Sequence, residues 1–193
     1  SVLDVRRDGA VATVRVERPP ANAVDPAMIE EFLAVLGPLA EDREVRCIVI
    51  TGSGRFFSAG ADIAVMRDLS AANQAGMRRW VEVQRLVELA PKPVVAGMNG
   101  HALGGGAELA LACDLRILST AASFGFPEMT LGLFPGAGGS QRLPRLVGPH
   151  LAKRLMIEGE RLSPDRCLGL GLIDRVVDAA EFDAVLEIGR AHV

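Results

Sequence analysis

Two short, continuously apolar runs constrain the fold of the 193-residue chain more than any other feature. Residues 47–51 and 93–98 are almost entirely apolar, which is typical of strands that are covered on both faces. Elsewhere the apolar residues follow helical spacing, as at Met28, Phe32 and Val35. Because helical and strand-like segments alternate along the chain, the sequence predicts an α/β fold.

Turn and capping residues set the boundaries of the predicted elements. Asp8 and Gly9 separate two strand-like runs and predict a hairpin, while Asp25 and Pro26 predict the cap and first residue of a helix. We expect further strands at 115–119, 122–125 and 173–177. We expect further helices at 62–68, 75–90, 105–113, 136–146, 150–157, 163–168 and 181–191.

Composition excludes several classes of function. The net charge of −3 makes duplex nucleic acid and anionic membranes poor partners, and 7 Phe with 1 Trp and no Tyr are too few for a base-stacking surface. The 3 cysteines form no CxxC pair and the 3 histidines show no metal spacing, so neither a zinc site nor a disulfide framework is expected. No apolar run reaches ~18 residues and the start does not resemble a signal peptide, so we expect a cytoplasmic protein.

A glycine run at 104–106 follows a predicted strand and begins a predicted helix. The first N–H groups of a helix have no partner within the helix, and glycine lets a ligand oxygen approach the backbone closely. The run could therefore bind an anion or oxyanion, or it could serve only to pack helix against sheet. It is neither a phosphate-binding P-loop nor a dinucleotide-binding GxGxxG motif.

Two glutamates stand in apolar surroundings. Glu108 lies one turn into a helix that is apolar all round, and Glu128 follows Phe126 and Pro127. Each could face solvent, but a pair of buried carboxyl groups would suit general acid–base catalysis, because proximity separates their pKa values. Ser58 and Ser140 lack the GxSxG elbow of a hydrolase nucleophile, so a hydrolase triad is unsupported.

Taken together, these segments resemble the crotonase, or enoyl-CoA hydratase/isomerase, superfamily. The resemblance covers nearly the whole chain and implies a spiral of ββα units, assembled as a homotrimer or a dimer of trimers. The matching segments are 18–23, 57–63, 99–108, 124–128, 135–143, 159–161 and 171–174.

The resemblance implies roles for individual residues. The backbone N–H groups of Ala61 and Gly105 would form an oxyanion hole for the thioester carbonyl of an acyl-CoA. Glu108 would activate water and Glu128 would donate a proton to C2. The remaining residues that the resemblance places along the substrate and coenzyme A site are Ala59 near the adenine, Gly60, Asp62 and Ile63 at the entrance, Gly104, and Gly136.

Having both glutamates favours a 2-enoyl-CoA hydratase, which adds water in syn fashion across C2=C3 to give a 3-hydroxyacyl-CoA. A Δ3-Δ2 enoyl-CoA isomerase, which commonly keeps only the glutamate at position 128, is the first alternative. A non-catalytic acyl-CoA-binding paralogue is the second. Coenzyme A would be part of the substrate, and we expect no separate cofactor and no metal.

The C-terminal end departs from the family pattern. The chain stops at Val193, whereas family members usually continue with a few dozen residues of helices. We therefore expect a single crotonase-like domain over 1–193, with its core at about 1–178. Residues 179–193 would begin a C-terminal helical region that is otherwise absent or shortened.

Overall fold

Two sheets of different size organise the computed structural model, which describes residues 1–68 and 70–190. In chain order the strands are β1 (Leu3–Asp8), β2 (Val11–Val16), β3 (Cys47–Gly52), β4 (Phe56–Ser58), β5 (Val94–Met98), β6 (His101–Leu103), β7 (Leu115–Ser119), β8 (Phe124–Gly125), β9 (Arg161–Leu162) and β10 (Arg175–Val177). The helices are α1 (Pro26–Glu41), α2 (Ile63–Met66), α3 (Ala71–Arg78), α4 (Trp80–Glu88), α5 (Gly105–Ala112), α6 (Gly139–Val147), α7 (Pro149–Glu158), α8 (Pro164–Gly169) and α9 (Phe182–Arg190), with a 3₁₀ helix at Pro127–Leu131.

The larger sheet has six strands in the order β1-β2-β3-β5-β7-β10. Its first two strands form the predicted antiparallel hairpin, in which Gly9 takes a φ of +56°, and the other pairs are parallel. All six residues of β3 are buried, which confirms that this apolar run is a strand covered on both faces. The predicted α/β class is likewise confirmed.

The smaller sheet, in the order β4-β6-β8-β9, was largely missed by the sequence prediction. Its strands contain only two or three residues each, too few to show an alternation of polar and apolar residues. β4 and β6 run parallel, with Ser58 opposite Ala102. The loops that follow these two strands therefore lie at the same end of the sheet. The candidate site is located at this end.

Two predicted helices are corrected by the structure. The single helix predicted over 75–90 is two helices, α3 and α4. They are separated at Arg79, whose N–H donates to the carbonyl of Gly76, three residues earlier, and so forms a tight turn. This turn brings Trp80 into the core, whereas no residue of α3 is buried. The helix predicted to open at Gly136 begins only at Gly139, since Gly138 has a non-helical φ of +122°.

Apolar side chains cover both faces of the larger sheet. The main core includes Phe32 of α1 and Leu109 of α5, while a smaller cluster on the opposite side joins Val11 and Val49 to Phe182 of α9. Helix α9 matches the predicted helix at 181–191, except that residue 191 lies outside the described residues. The boundary near residue 178 stays a prediction. None of the helices in the described ranges is long and apolar enough to cross a bilayer.

Candidate active site

The loops after β4 and β6 lie side by side and bring Ala61 next to Gly105. A Cβ built on Gly105 would lie only 3.7 Å from the Ala61 nitrogen. Gly60 takes a φ of +86°, and a Cβ on it would lie 2.8 Å from the Gly105 nitrogen. Glycine is needed at position 60 because no other residue combines that backbone conformation with so close an approach.

The N–H groups of Ala61 and Gly105, which were predicted to form the oxyanion hole, do not take part in the backbone hydrogen bonds of their own segments. Val24 donates to the carbonyl of Gly60 and accepts from the N–H of Asp62, so the N–H of Ala61 points away from Val24. Gly105 is the first residue of α5, where an N–H has no acceptor within the helix and the helix dipole is positive. The two donors together could stabilise a negatively charged oxygen.

The other reading of the glycine run, tight packing of helix against sheet, holds for its last member. A Cβ on Gly106 would lie 2.4 Å from the backbone oxygen of Ser58, closer than two such atoms can approach. Gly106 therefore lets α5 pack directly on β4. Packing and ligand access are thus served by different glycines of one run.

Glu108 is buried and held by a loop that is distant in the sequence. The residue is in the middle of α5 and is 3% exposed. Its Oε1 accepts hydrogen bonds from the N–H groups of Ala137, at 2.9 Å, and Gly139, at 2.8 Å. Burial raises the pKa of Glu108, while these two N–H groups and the charge of Arg142 oppose the rise.

Glu128 occupies a different environment, on the 3₁₀ helix. Its Oε1 would lie 3.2 Å from a Cβ on Gly104, which has a φ of +53°. Its Oε2 is buried and has no hydrogen-bond partner within the described part of the chain. The pKa of Glu128 is raised to about 7: burial is the largest cause, the charge of Glu108 adds to the rise, and the residue's own N–H opposes it. The charge of Glu108 therefore reaches Glu128, which places the two carboxyl groups near each other.

Asp62 and Ile63 lie at the outer end of the first loop. Asp62 caps α2 and accepts a hydrogen bond from Arg18 at 2.9 Å. Burial raises the pKa of Asp62, but the Arg18 hydrogen bond and two backbone N–H groups outweigh it, so the net pKa is lowered. Ile63 is 53% exposed. Their predicted place at the coenzyme A entrance stays a prediction.

The remaining predicted residues, Ala59 and Gly136, lie on two different loops. Ala59 donates its N–H to the carbonyl of Ala21, and Gly136 is exposed in the loop before α6. Gly136 itself is not a hydrogen-bond donor to Glu108; that contact belongs to Ala137 and Gly139. Within residues 1–68 and 70–190, no cluster of three His, Cys, Asp or Glu side chains could hold a metal ion.

Sequence reasoning missed several residues that support the site. Ala137 and Gly139 donate to Glu108, and Trp80 donates its Nε1 to the carbonyl of Gly105 at 3.2 Å. Gly139 belongs to the Gly136–Gly139 run that the sequence does show, but nothing local relates that run to Glu108. Trp80 is the only tryptophan in the sequence, and no local motif marks it as part of the site.

A two-sheet α/β domain, with the N–H groups of two neighbouring loops beside one buried and one half-buried glutamate, defines the crotonase class. The sequence model described as "Enoyl-CoA hydratase/isomerase" matches residues 6–187. The chain therefore belongs to the enoyl-CoA hydratase/isomerase family, and the resemblance found in the sequence is confirmed.

Named relatives agree with this assignment. The chain is 42% identical over 182 residues to the short-chain-enoyl-CoA hydratase of Clostridium acetobutylicum, covering 92% of this chain and 69% of the relative. It is 43% identical over 181 residues to the crotonyl-CoA hydratase of Syntrophomonas wolfei, with the same two shares, 92% and 69%.

Solved structures are similar over nearly the whole chain. An enoyl-CoA hydratase from Bacillus anthracis superposes with a TM-score of 0.93 at 36% identity, covering 99% of this chain and 76% of that one. The DspI structure from Pseudomonas aeruginosa gives a TM-score of 0.94, also at 36% identity, and covers 99% and 74% of the two chains. The expected crotonase fold is thereby confirmed.

Proposed function

We propose that this chain is an enoyl-CoA hydratase, a lyase that adds water across C2=C3 of a 2-enoyl-CoA. One observation carries the proposal: two neighbouring glutamates have opposite hydrogen-bond environments, and they lie beside the paired N–H groups of Ala61 and Gly105. The hydratase names of the two bacterial relatives support it.

The paired N–H groups act on the thioester. Its carbonyl oxygen accepts hydrogen bonds from Ala61 and Gly105, and negative charge grows on this oxygen as water adds to C3 and the C2=C3 electron pair moves into the enolate. Donors fixed before the reaction need no reorganisation as the charge develops, and each is typically worth about 3 kcal/mol. The dipole of α5 acts in the same direction.

The two glutamates divide the proton transfers. Glu108 takes a proton from water while the water oxygen bonds to C3, because its hydrogen bonds from Ala137 and Gly139 favour the ionised form. Glu128, whose pKa is raised to about 7, keeps its proton near neutral pH and donates it to C2. Addition is syn because both carboxyl groups approach the substrate from one side of the double bond.

The fixed orientation of Glu108 is the observation that favours hydration over isomerisation. An isomerase moves one proton between C4 and C2 and needs one carboxyl group, so it has no use for a second carboxylate oriented by two N–H groups. The family name includes both activities, and the hydratase assignment therefore rests on Glu108.

The deciding experiment assays the chain with a chain-length series of 2-enoyl-CoA esters, starting from crotonyl-CoA, and with a 3-enoyl-CoA. We expect 3-hydroxyacyl-CoA products, identified by mass spectrometry. We also expect turnover to be fastest with either the shortest or the longest acyl chain of the series. Conversion of the 3-enoyl-CoA without hydration would support the isomerase. Binding of the thioester without turnover of either substrate would support the non-catalytic paralogue.

The oxyanion hole is testable with a matched pair of variants at Gly105. Gly105→Pro removes the N–H at the first helical position, where proline suits the backbone, and Gly105→Ala adds a Cβ in the same place but keeps the N–H. We expect kcat to be about 100-fold lower in the proline variant than in the alanine variant. Equal rates in the two variants would refute the role of this N–H.

The proposal extends to assembly and location. A homotrimer or dimer of trimers fits the exposed apolar side chains near Glu128, because large exposed apolar patches commonly mark interfaces. These side chains are Met129, Leu131, Leu133, Phe134 and Ile157. A cytoplasmic location, and catalysis without a separate cofactor, belong to the same proposal.

A further inference from the structure

One face of α4 contacts both Gly105, at the oxyanion hole, and Arg142, beside the loop that holds Glu108. Trp80, Gln84 and Glu88 follow one another at four-residue intervals, so their side chains lie along one face of the helix. Trp80 donates to the carbonyl of Gly105, at the oxyanion hole. Gln84 and Glu88 each accept a hydrogen bond at 2.8 Å from Arg142 of α6.

Arg142 contacts the loop whose N–H groups donate to Glu108. Its side chain is only 12% exposed, and its Nη1 donates to the carbonyl of Ala137 at 3.3 Å as well as to Gln84. A Cβ on Gly138 would lie 1.9 Å from this Nη1. Glycine at 138 therefore leaves the space that the guanidinium fills.

The contacts form a continuous path from α4 to the carboxylate. Arg142 fixes Ala137 through its carbonyl, and the N–H of the same residue donates to Glu108. Gly139 supplies the second N–H from the far side of Gly138. Gln84, which is completely buried, and Glu88 in turn fix the guanidinium.

We propose that Arg142 is a positioning residue for Glu108: held by Gln84 and Glu88, it fixes the loop whose N–H groups orient the Glu108 carboxylate. The inference rests on the proposed hydratase function, in which that carboxylate takes the proton from water. The role of Arg142 differs from that of the oxyanion hole, because Arg142 acts on the base, Glu108, and leaves the contacts to the thioester unchanged.

The charge of Arg142 gives the proposal a second readout. Two ionisable side chains influence Glu108 or are influenced by it, Arg142 from α6 and Glu128 from the 3₁₀ helix. The positive charge of Arg142 lowers the pKa of Glu108, opposing the effect of burial. Removing that charge should therefore move the ionisation of Glu108 to higher pH.

The test compares Arg142→Met and Arg142→Lys with Arg145→Met, a control on the same helix whose guanidinium donates to the carbonyl of Gln141 and reaches Glu88 through its charge without a hydrogen bond. In Arg142→Met we expect kcat for crotonyl-CoA hydration to fall about 10- to 100-fold with little change in KM, and the acidic limb of the pH profile to move upward. Arg142→Lys should recover part of the rate, and Arg145→Met should match the wild type.

A double variant separates positioning from a general loss of structure. Because Arg142 acts through Glu108, adding Arg142→Met to Glu108→Gln should lower the residual rate by much less than Arg142→Met alone lowers that of the wild type. A full loss in the Glu108→Gln background, or an acidic limb that does not move, would overturn the proposal.

A measurement independent of turnover keeps this proposal distinct from the hydratase assignment. Carbon-13 NMR of labelled glutamate follows the titration of Glu108 directly, with Glu108→Gln identifying the signal. We expect a higher pKa for Glu108 in Arg142→Met than in the wild type or in Arg145→Met. An unchanged titration would refute the positioning role even if the chain hydrates enoyl-CoA, and a shifted one would support it even if the chain does not.

Discussion

Glu108 and Glu128 are the same residue type and lie close to each other, but their surroundings differ. Glu108 belongs to a regular helix, is 3% exposed and has two backbone N–H groups on one oxygen. Glu128 belongs to a short 3₁₀ helix, is partly exposed and has a buried Oε2 without a partner in the described ranges. Burial raises the pKa of both carboxyl groups, and they differ in the hydrogen bonds and charges that act beside burial.

The comparison shows that burial is not the only influence on the ionisation of the two carboxyl groups. Burial is the largest effect on both pKa values, and it acts upward in each case. At Glu108, the more deeply buried residue, two N–H groups and Arg142 oppose this rise, although the pKa stays raised on balance. At Glu128 the negative charge of Glu108 adds to the rise. In the proposed hydratase, this difference suits Glu108 to the role of base and Glu128 to the role of acid.

The largest expected effect comes from removing either carboxyl group. Glu108→Gln and Glu128→Gln should each lower kcat for hydration by about 1,000-fold, since each removes one proton transfer. The double variant should lose much less than the product of the two factors, because the groups act as a unit. With a 3-enoyl-CoA, an isomerase would depend on Glu128 alone. Near-normal hydration by either variant would show that the carboxyl group removed in that variant is not needed for the reaction.

A smaller effect is expected from pH. Since Glu128 must be protonated to donate, kcat/KM should fall about tenfold per pH unit above the pKa of about 7 that burial gives this residue. Steady-state kinetics across the neutral and alkaline range would measure this limb. A profile that stays flat well above neutral pH would show that another group donates the proton.

The smallest expected effect is on stability. The folded-state pKa of Glu128 is about 7, above the ordinary value of 4.5, so the folded chain holds this proton more tightly than the unfolded chain. Wild-type stability therefore falls as the pH rises between these values, and the loss is complete above about 7. Glutamine does not ionise, so Glu128→Gln should be more stable than the wild type by about 1–2 kcal/mol near pH 8, after allowance for partial exposure.

Urea unfolding at about pH 8 and pH 4 would measure this difference. The two proteins should have nearly equal free energies of unfolding at the lower pH, where both side chains are neutral. Glu17→Gln on the protein surface controls for the change in charge. A Glu128→Gln variant no more stable than the wild type at about pH 8 would show that the folded chain does not strain this carboxylate.

Elements with long or capped patterns were predictable from the sequence. The six-residue β3 and the start of α1, where Asp25 caps through a hydrogen bond to the N–H of Met28, follow local rules. The smaller sheet was not predictable, because its strands are set by pairing with segments distant in the chain. The turn at Arg79 also escaped prediction, since periodicity does not reveal a change of direction at one residue.

By itself the sequence determined the chemical groups of this protein: two glutamates in apolar surroundings, glycines at the start of a helix, and an arrangement of motifs that identifies the family. Only the tertiary structure decided how these groups work together. It placed Ala61 beside Gly105 and brought Ala137 and Gly139 to Glu108. The reason is physical: the ionisation and orientation of a buried carboxyl group depend on its partners in space, and here those partners come from distant parts of the chain.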